Sequence, residues 1–425
     1  MKARVSLALG IDVGTSGVRV AVLDAGGDVV AEAGVKMPAA PQPARPGRSA
    51  AWDWFDATES ALGAISAKVS LRTVEAFAVD GTSGTLVAVD AVLQPVAPPS
   101  LYNDPCQPEI LDRIKTCAPP HCAALGATSA LGRAIELQVR EPYRILHQAD
   151  WIGALLSGRF GATDENNALK TGYDPLARCW PAWLRDAGMD TGLLPDVVPA
   201  GSVLASGPMS KLARALGFQE PMAWIAGTTD GCAAFLATGA SRPGEGVTSL
   251  GSTLVLKVLS DGPVFAPAYG IYSHRVGDLW LAGGASNTGG AALLEHFSVE
   301  QMMALEPRID PDHELGLGFY PLPGVGERFP LHDPEMVSRV TPRPAGEADF
   351  LQALLEGIAD IEALGYRRLA EVGATKVTSV RTVGGGASNT AWSQLRQRRL
   401  AVPFLSAHSQ AAAAGVARLA LRALR

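Results

Sequence analysis

Apolar residues open the chain in short runs separated by small ones. "VSLALGIDV" is almost wholly apolar until Asp12, "VRVAVLD" is rich in Val and partly alternates, and "VVAEAGV" follows an "AGGD" turn. Short runs of this kind, bounded by glycines, read as strands. Residues 5–34 are therefore predicted to form three strands in two successive hairpins. A basic residue pair ahead of an apolar stretch also resembles a secretory leader. The stretch is short, Asp12 interrupts it and no small-residue cleavage site follows, so a first strand is expected instead.

The pattern then changes period. Residues 52–69, "WDWFDATESALGAISAKV", have helical spacing, and residues 74–90 return to strand, "DGTSG" turn and strand. Residues 104–220 are broken by Pro and Gly and hold helical pieces such as "YRILHQADWIGALLSG". They read as elaboration on a first domain. "MAWIAGTTDGCAAFLATG" is predicted as a strand, a Gly-Thr-Thr turn and a helix starting near Asp230. "SRPGEG" at 241–246 marks a boundary. Beyond it, "GVTSLGSTLVLKV" repeats the strand, Gly-Ser-Thr turn, strand theme. "DFLQALLEGIADIEALGYRRLAEVG" is a long amphipathic helix, and "SQAAAAGVARLALRAL" closes the chain as another. Two halves thus share one grammar, which predicts domains at 1–241 and 242–425 with a cleft between them.

The hexapeptide GGASNT occurs twice, starting at Gly283 and at Gly385. Each copy stands between an apolar run and a helical one. The expected reading is two loops with exposed backbone that face a common ligand.

Length agrees with two or three domains, since 425 residues exceed one ordinary core. The net charge of −6 and the lack of a basic block speak against nucleic acid and anionic membranes as partners. No apolar run reaches membrane-spanning length. Five cysteines, an odd number, argue against a disulfide framework and for a reducing cytoplasm. Cys106, Cys117, His121 and Cys122 cluster, but their spacing matches no pair-of-pairs zinc pattern, so they read as loop cysteines with no assigned role.

Three Gly-Ser/Thr segments are candidate anion cradles, each expected as a hairpin turn: 12–17, 80–85 and 250–254. Glycine lets backbone amides approach an oxygen closely, and successive amides with hydroxyls form a nest for phosphate. Each is also ordinary turn material. No G-x-x-x-x-G-K-[ST], G-x-G-x-x-G or G-x-S-x-G exists, which removes the P-loop, the Rossmann fingerprint and the hydrolase elbow. Asp12 is a carboxylate in an apolar strand and needs a partner, which a hydrated Mg²⁺ could be. Asp230 reads either as a plain helix N-cap or as a carboxylate placed to accept a hydroxyl proton.

"GIDVGTSGVRVAVLD", "GTTDGCAAFLATG", "TSLGSTLVLK" and "VGGGASNTAW", in this order over nearly the whole chain, resemble the carbohydrate kinases of the FGGY family. The resemblance implies an α/β fold of two actin/hexokinase-like (ribonuclease H-like) domains, with mixed sheets flanked by helices. It implies ATP and Mg²⁺, with Asp12 at the metal and the sugar, and Gly14, Thr15 and Ser16 at the γ-phosphate. Ser83 would contact sugar and Asp230 would be the base. Gly251, Ser252 and Thr253 would form the second phosphate hairpin. Gly385, Gly386, Asn389 and Trp392 would surround adenine, with Thr288 of the first GGASNT nearer the phosphates. Gln410 stands where the family often has Glu.

"VDGTSGTLVAVD" with "YND" and "DENNALKTGYDP" looks most like the D-ribulokinase subgroup of bacteria, cyanobacteria and plant plastids, itself similar to xylulose kinases. The Met-His pair that xylulose kinases carry after this strand is absent. The implied reaction is transfer of the γ-phosphate to a primary hydroxyl of a ketopentose, D-ribulose first. D-xylulose or another polyol is the alternative, and an actin-like ATPase without a sugar is a rival of another class. Monomer and homodimer stay equally open.

Overall fold

The computed structural model describes residues 6–37 and 48–425. Val5, expected in the first strand, lies outside them. Contacts divide the chain into two compact units. Unit 1 is Met1–Ala237 with His274–Gly277 and Ala411–Arg425, and unit 2 is Thr238–Ser273 with Asp278–Gln410. The first break lies four residues from the expected boundary at 241/242. The last fifteen residues, expected in the second domain, complete the first unit.

Unit 1 begins with β1 (Leu7–Val13), β2 (Gly17–Leu23), β3 (Val29–Lys36), α1 (Ala51–Ser66), β4 (Val74–Gly81) and β5 (Leu86–Val89). The middle stretch holds α2 (Pro108–Cys117), α3 (Ala130–Gln138), β6 (Arg144–His147), α4 (Gln148–Ser157), β7 (Ala162–Asp164), α5 (Glu165–Ala168), α6 (Trp183–Asp186), β8 (Asp196–Val198), β9 (Val203–Gly207) and α7 (Lys211–Ala215). Then come β10 (Met222–Thr229) and α8 (Asp230–Ala237). Its central sheet has the order β3-β2-β1-β4-β10-β9, with β1, β4 and β10 parallel and the outer pairs antiparallel.

Every residue of β1 is buried. That is why "LALGIDV" reads as a continuous apolar run, since both faces of the sheet are covered. On one face Phe55, Leu62, Trp151 and Phe77 pack around α1 and α4. The other face carries small side chains, Ala8, Ala21, Ala76 and Ala78, against Ala233 of α8 and Ala413, Ala414 and Ala417. The last three belong to the closing helix. A Cβ on Gly10 would fall 1.9 Å from the carbonyl oxygen of Ala413. The Ala-rich terminal helix therefore presses its backbone onto the sheet.

In unit 2 the chain runs through β11 (Glu245–Leu250), β12 (Leu254–Ser260), and the short antiparallel pair β13 (Phe265–Ala266) and β14 (Ile271–Tyr272). After β15 (His274–Val276), which belongs to unit 1, come β16 (Leu279–Ser286), α9 (Gly290–Leu294), α10 (Val299–Leu305), α11 (Glu347–Glu371), β17 (Ser379–Val383), α12 (Thr390–Leu400) and β18 (Phe404–Leu405). Helix α13 (Ala412–Ala423) then returns to unit 1. Within unit 2 the strands run β16-β12-β11-β17-β18. The core lies between this sheet and α11, around Leu256, Phe329, Leu354, Ile358 and Trp392. Both units are thus mixed sheets flanked by helices, as expected.

Four local expectations are corrected. "DGTSGT" is no hairpin: β4 belongs to the central sheet while β5 pairs with β6 in a separate two-stranded sheet. "GTT" before Asp230 is no turn, because β10 runs through Thr229 directly into α8. "RILH" is strand β6, and only Gln148 onward is helix. The first GGASNT is no loop either, since Gly283–Ser286 form the end of β16 against β12.

Candidate active site

The acids of unit 1 are brought together by strand register. Asp12 in β1 stands opposite Asp80 in parallel β4, and Asp80 stands opposite Thr228 in parallel β10. Two residues later, Asp230 opens α8. Neighbours in register point to the same face of a sheet, so two carboxyls meet there, with a third just beyond the strand end. Asp230 is the first residue of α8. The side chain that accepts an amide of that first turn from the preceding position is Thr229, from Cys232 N at 3.4 Å, while Asp230 accepts from Gly231 N at 2.6 Å.

The electrostatics of this face are those of crowded acids. Burial pushes the Asp12 carboxyl above its ordinary value. The Arg19 guanidinium, 3.6 Å away, partly offsets this, and the charge of Asp230 adds to it. Asp80 is fully buried, and neither of its oxygens has a hydrogen-bond partner. Burial, then the charges of Asp12 and Asp230, push it well above the usual carboxylate range.

Among the described residues no three His, Cys, Asp or Glu side chains converge as metal ligands. Mg²⁺ needs no such cluster, because it keeps most of its waters and takes one or two carboxylates beside substrate phosphates. The buried Asp12 and the partnerless oxygens of Asp80 fit that requirement. Cys106, by contrast, is buried with its Sγ 2.9 Å from where a Gly132 Cβ would lie.

Beside the acids, the β1–β2 hairpin turns at Gly14-Thr15-Ser16, closed by Gly14 N donating to Gly17 O at 3.0 Å. Thr15 and Ser16 are exposed. Behind them, Thr82 donates its N–H (3.0 Å) and its hydroxyl (2.9 Å) to Gln148 Oε1. Ser83 follows, its hydroxyl oxygen buried and without a partner. A hollow of about 310 Å³ is lined by Thr15, Thr82, Thr85, Tyr102 and Gln148 among others, but not by Asp12, Ser83 or Asp230.

Unit 2 holds the other predicted residues. Its β11–β12 hairpin turns at Gly251-Ser252-Thr253. The turn is tied from behind: Gly290 N donates to Gly251 O (2.8 Å), Ala291 N to Ser252 O (3.0 Å) and Leu254 N to Thr288 O (2.7 Å). In a trans peptide the carbonyl and the next N–H point oppositely. Tying back the carbonyls of Gly251 and Ser252 therefore turns the amides of Ser252 and Thr253 outward. Thr288 itself is fully buried and donates its hydroxyl to Pro321 O at 2.6 Å. It braces the hairpin through backbone and offers no free hydroxyl to a ligand, unlike its expected role.

The second GGASNT does form a loop. Gly384, at φ 90°, turns the chain out of β17, Gly385–Ser388 make a tight helical turn, and Asn389 Oδ1 caps α12 by accepting from Trp392 N at 2.7 Å. With the Gly251–Ser252 turn and Trp392 this loop lines a cavity of about 420 Å³, whose remaining wall is largely Leu, Val and Met. Trp392 is 3% exposed and donates its indole N–H to Leu355 O at 3.2 Å, so it forms the floor beneath Gly386. Gln410 accepts from Gly384 N at 3.1 Å and steadies the loop entrance.

Residues 7–121 match the N-terminal domain, and residues 246–424 the C-terminal domain, of the FGGY family of carbohydrate kinases. The chain belongs to that family. The xylulose kinase of Escherichia coli is 27% identical over 412 residues, covering 91% of this chain and 83% of that one. A gluconokinase of Bacillus subtilis is 26% identical over half of this chain. Among solved structures, a xylulose kinase from Rhodospirillum rubrum aligns with TM-score 0.80 at 20% identity, covering 97% and 89% of the two chains. A gluconate kinase from Lactobacillus acidophilus aligns with TM-score 0.82 at 18% identity, covering 99% and 89%. These structures share the fold.

Within this FGGY kinase, strand register brings Asp12 close to Asp230, and Gly385, Gly386, Asn389 and Trp392, expected around adenine, line one cavity. Sequence reasoning missed Asp80, although a carboxylate in the apolar run "VEAFAVDG" is the signal that singled out Asp12. It also missed Gln148 and Asn166, whose side-chain amide holds Thr228 Oγ1 at 2.9 Å. Neither carries a motif, and their roles exist only once distant strands meet. No helix among the described residues is long and apolar enough to cross a membrane.

Proposed function

We propose that this carbohydrate kinase transfers the γ-phosphate of ATP to the terminal primary hydroxyl of a ketopentose, O5. The observation that carries this is Asp230 at the first position of α8, beside the Asp12–Asp80 acid face. An ionised Asp230 would take the proton from the sugar hydroxyl as the new phosphorus–oxygen bond forms and ADP leaves. The outward amides of Ser252 and Thr253 and the exposed Gly14-Thr15-Ser16 turn would bind phosphate oxygens. The cavity beside Gly385, Gly386 and Asn389, floored by Trp392, would take the flat base. Asp12 would hold Mg²⁺, which supplies charge neutralisation on the phosphates.

Xylulose is the leading sugar, because the E. coli relative and others of similar identity are named xylulose kinases. D-Ribulose is the second reading. It is favoured by the segment "DGTSGT" at 80–85, which carries a partnerless Ser83 hydroxyl and stands where xylulose kinases have Met-His. Initial rates of ADP formation with D-xylulose, D-ribulose, L-ribulose, gluconate and glycerol test the proposal. Pentulose-dependent ADP release is expected. Release stimulated only by gluconate or glycerol, or by no polyol, overturns it.

A further inference from the structure

The acid face explains how hydroxyl hydrogens of a sugar are held, but a ketose also carries a carbonyl oxygen. That atom only accepts. In a 2-ketopentose, O5 is the oxygen that closes the furanose ring on C2, so phosphorylation at O5 requires the open chain with a free ketone. The site therefore needs a donor at the unreacted end, and carboxylates cannot supply one when ionised.

Two cations flank the turn that carries Ser83. Arg133 is fully buried and already engaged: its guanidinium donates to Gly84 O (2.7 Å), to Ser100 O (3.2 Å) and Oγ (2.9 Å) and to Thr128 O (3.3 Å). Of the turn's own carbonyls, Gly84 O is thus served by Arg133. Lys170 is different. It comes from the tight turn Leu169–Thr171 that follows α5, is half-buried, and reaches Ser83 O over a long 3.4 Å. Among the described residues it forms no ion pair with an acid, and an ammonium carries three donors. The residue whose carbonyl it reaches, Ser83, also carries a buried, partnerless hydroxyl. A buried hydroxyl without a partner costs stability unless a ligand satisfies it.

We propose that Lys170 is a specificity-determining residue of the acceptor site. Together with the Ser83 hydroxyl it donates to the ketone oxygen at the unreacted end of an open-chain 2-ketopentose. The inference rests on the pentulose-kinase reading above and adds to it the selection of ketose over polyol.

The test uses the full-length protein and the variants Lys170→Met and Lys170→Arg, with the pentulose that wild type turns over best and the pentitol made by reducing it. Sugar binding is also followed by calorimetry, independently of turnover. Loss of a charge-assisted hydrogen bond should raise the pentulose Kd and KM of Lys170→Met by about tenfold to a hundredfold. Its KM for ATP should stay unchanged, and the preference for ketose over pentitol should collapse. Lys170→Arg should recover part of the loss. A merely structural lysine would lower Tm in Lys170→Met and leave the ketose-to-pentitol ratio intact. That outcome overturns the inference while leaving the pentulose reading standing, as does a pentulose KM and Kd within about twofold of wild type. If wild type neither binds nor phosphorylates any pentulose, the functional reading falls and the inference with it.

Discussion

Asp80 shows how a single residue can oppose stability where chemistry is assembled. Its carboxyl is wholly buried and faces two other acids, so its folded-state pKa lies above the unfolded value of 3.8. Between those two values the folded protein keeps a proton that the unfolded chain releases. Stability therefore falls as pH rises through that window and levels off above the folded-state pKa. An amide cannot ionise. Asp80→Asn should match wild type in Tm near about pH 4 and exceed it increasingly as the pH rises above that. Parallel Tm–pH curves for the two proteins would show that Asp80 is not the buried acid described. Asp230 makes the complementary case. Asp230→Asn should fold normally and keep its KM for ATP while kcat falls by about 10²–10⁴-fold. Turnover above half of wild type in a coupled ADP assay would remove it as the base. Asp12 stood out in sequence because an acid in an apolar strand breaks a local rule, and Asp230 because it stands where a helix was expected to start. Asp80 broke the same rule, and its meaning emerges only from the register that sets it beside Asp12.

At the level of elements, one hexapeptide adopts two conformations. The first GGASNT continues β16, where Gly284 lies under the Phe329 ring and Gly283 against Leu256 O. The second leaves the sheet. The difference lies one residue upstream, Ala282 against Gly384. At φ 90° the chain can turn out of β17, and a Cβ there would fall 2.6 Å from Leu250 O. Ala282 is extended and wholly buried, so the first copy has no such exit. Identical sequence thus follows its flanks and its available strand partner, which explains why the two-loop expectation held for one copy only. Gly384→Ala should cost about 1–2 kcal/mol from left-handed strain alone, and more from the collision. The readouts are a lowered Tm and a raised KM for ATP, with the sugar KM close to wild type. An unchanged ATP KM would separate this loop from nucleotide binding.

Across the whole molecule, the sheet-and-helix grammar of both units was legible because strand and helix periods differ and glycines punctuate them. The assignment of the last helix was not. Sequence order places α13 after unit 2, whereas packing places it on unit 1, against β1 and α8. Only small residues allow this. Gly415 lies so close to α8 that a Cβ would fall 1.8 Å from Ala233 O, and Ala413 meets Gly10 equally tightly. Through this contact the far end of the chain holds the helix whose first residue is Asp230. Gly415→Val should push α13 from α8, with overpacking of about 1–3 kcal/mol or more. Tm should drop, and kcat should fall further than displacement of a remote surface helix would cause. A fluorescence response of Trp392 to ADP, expected if the unit 2 cavity takes the base, should be the same as in wild type. Wild-type Tm and kcat in Gly415→Val would mean that α13 can shift without disturbing α8, and that the base is positioned by β10 alone.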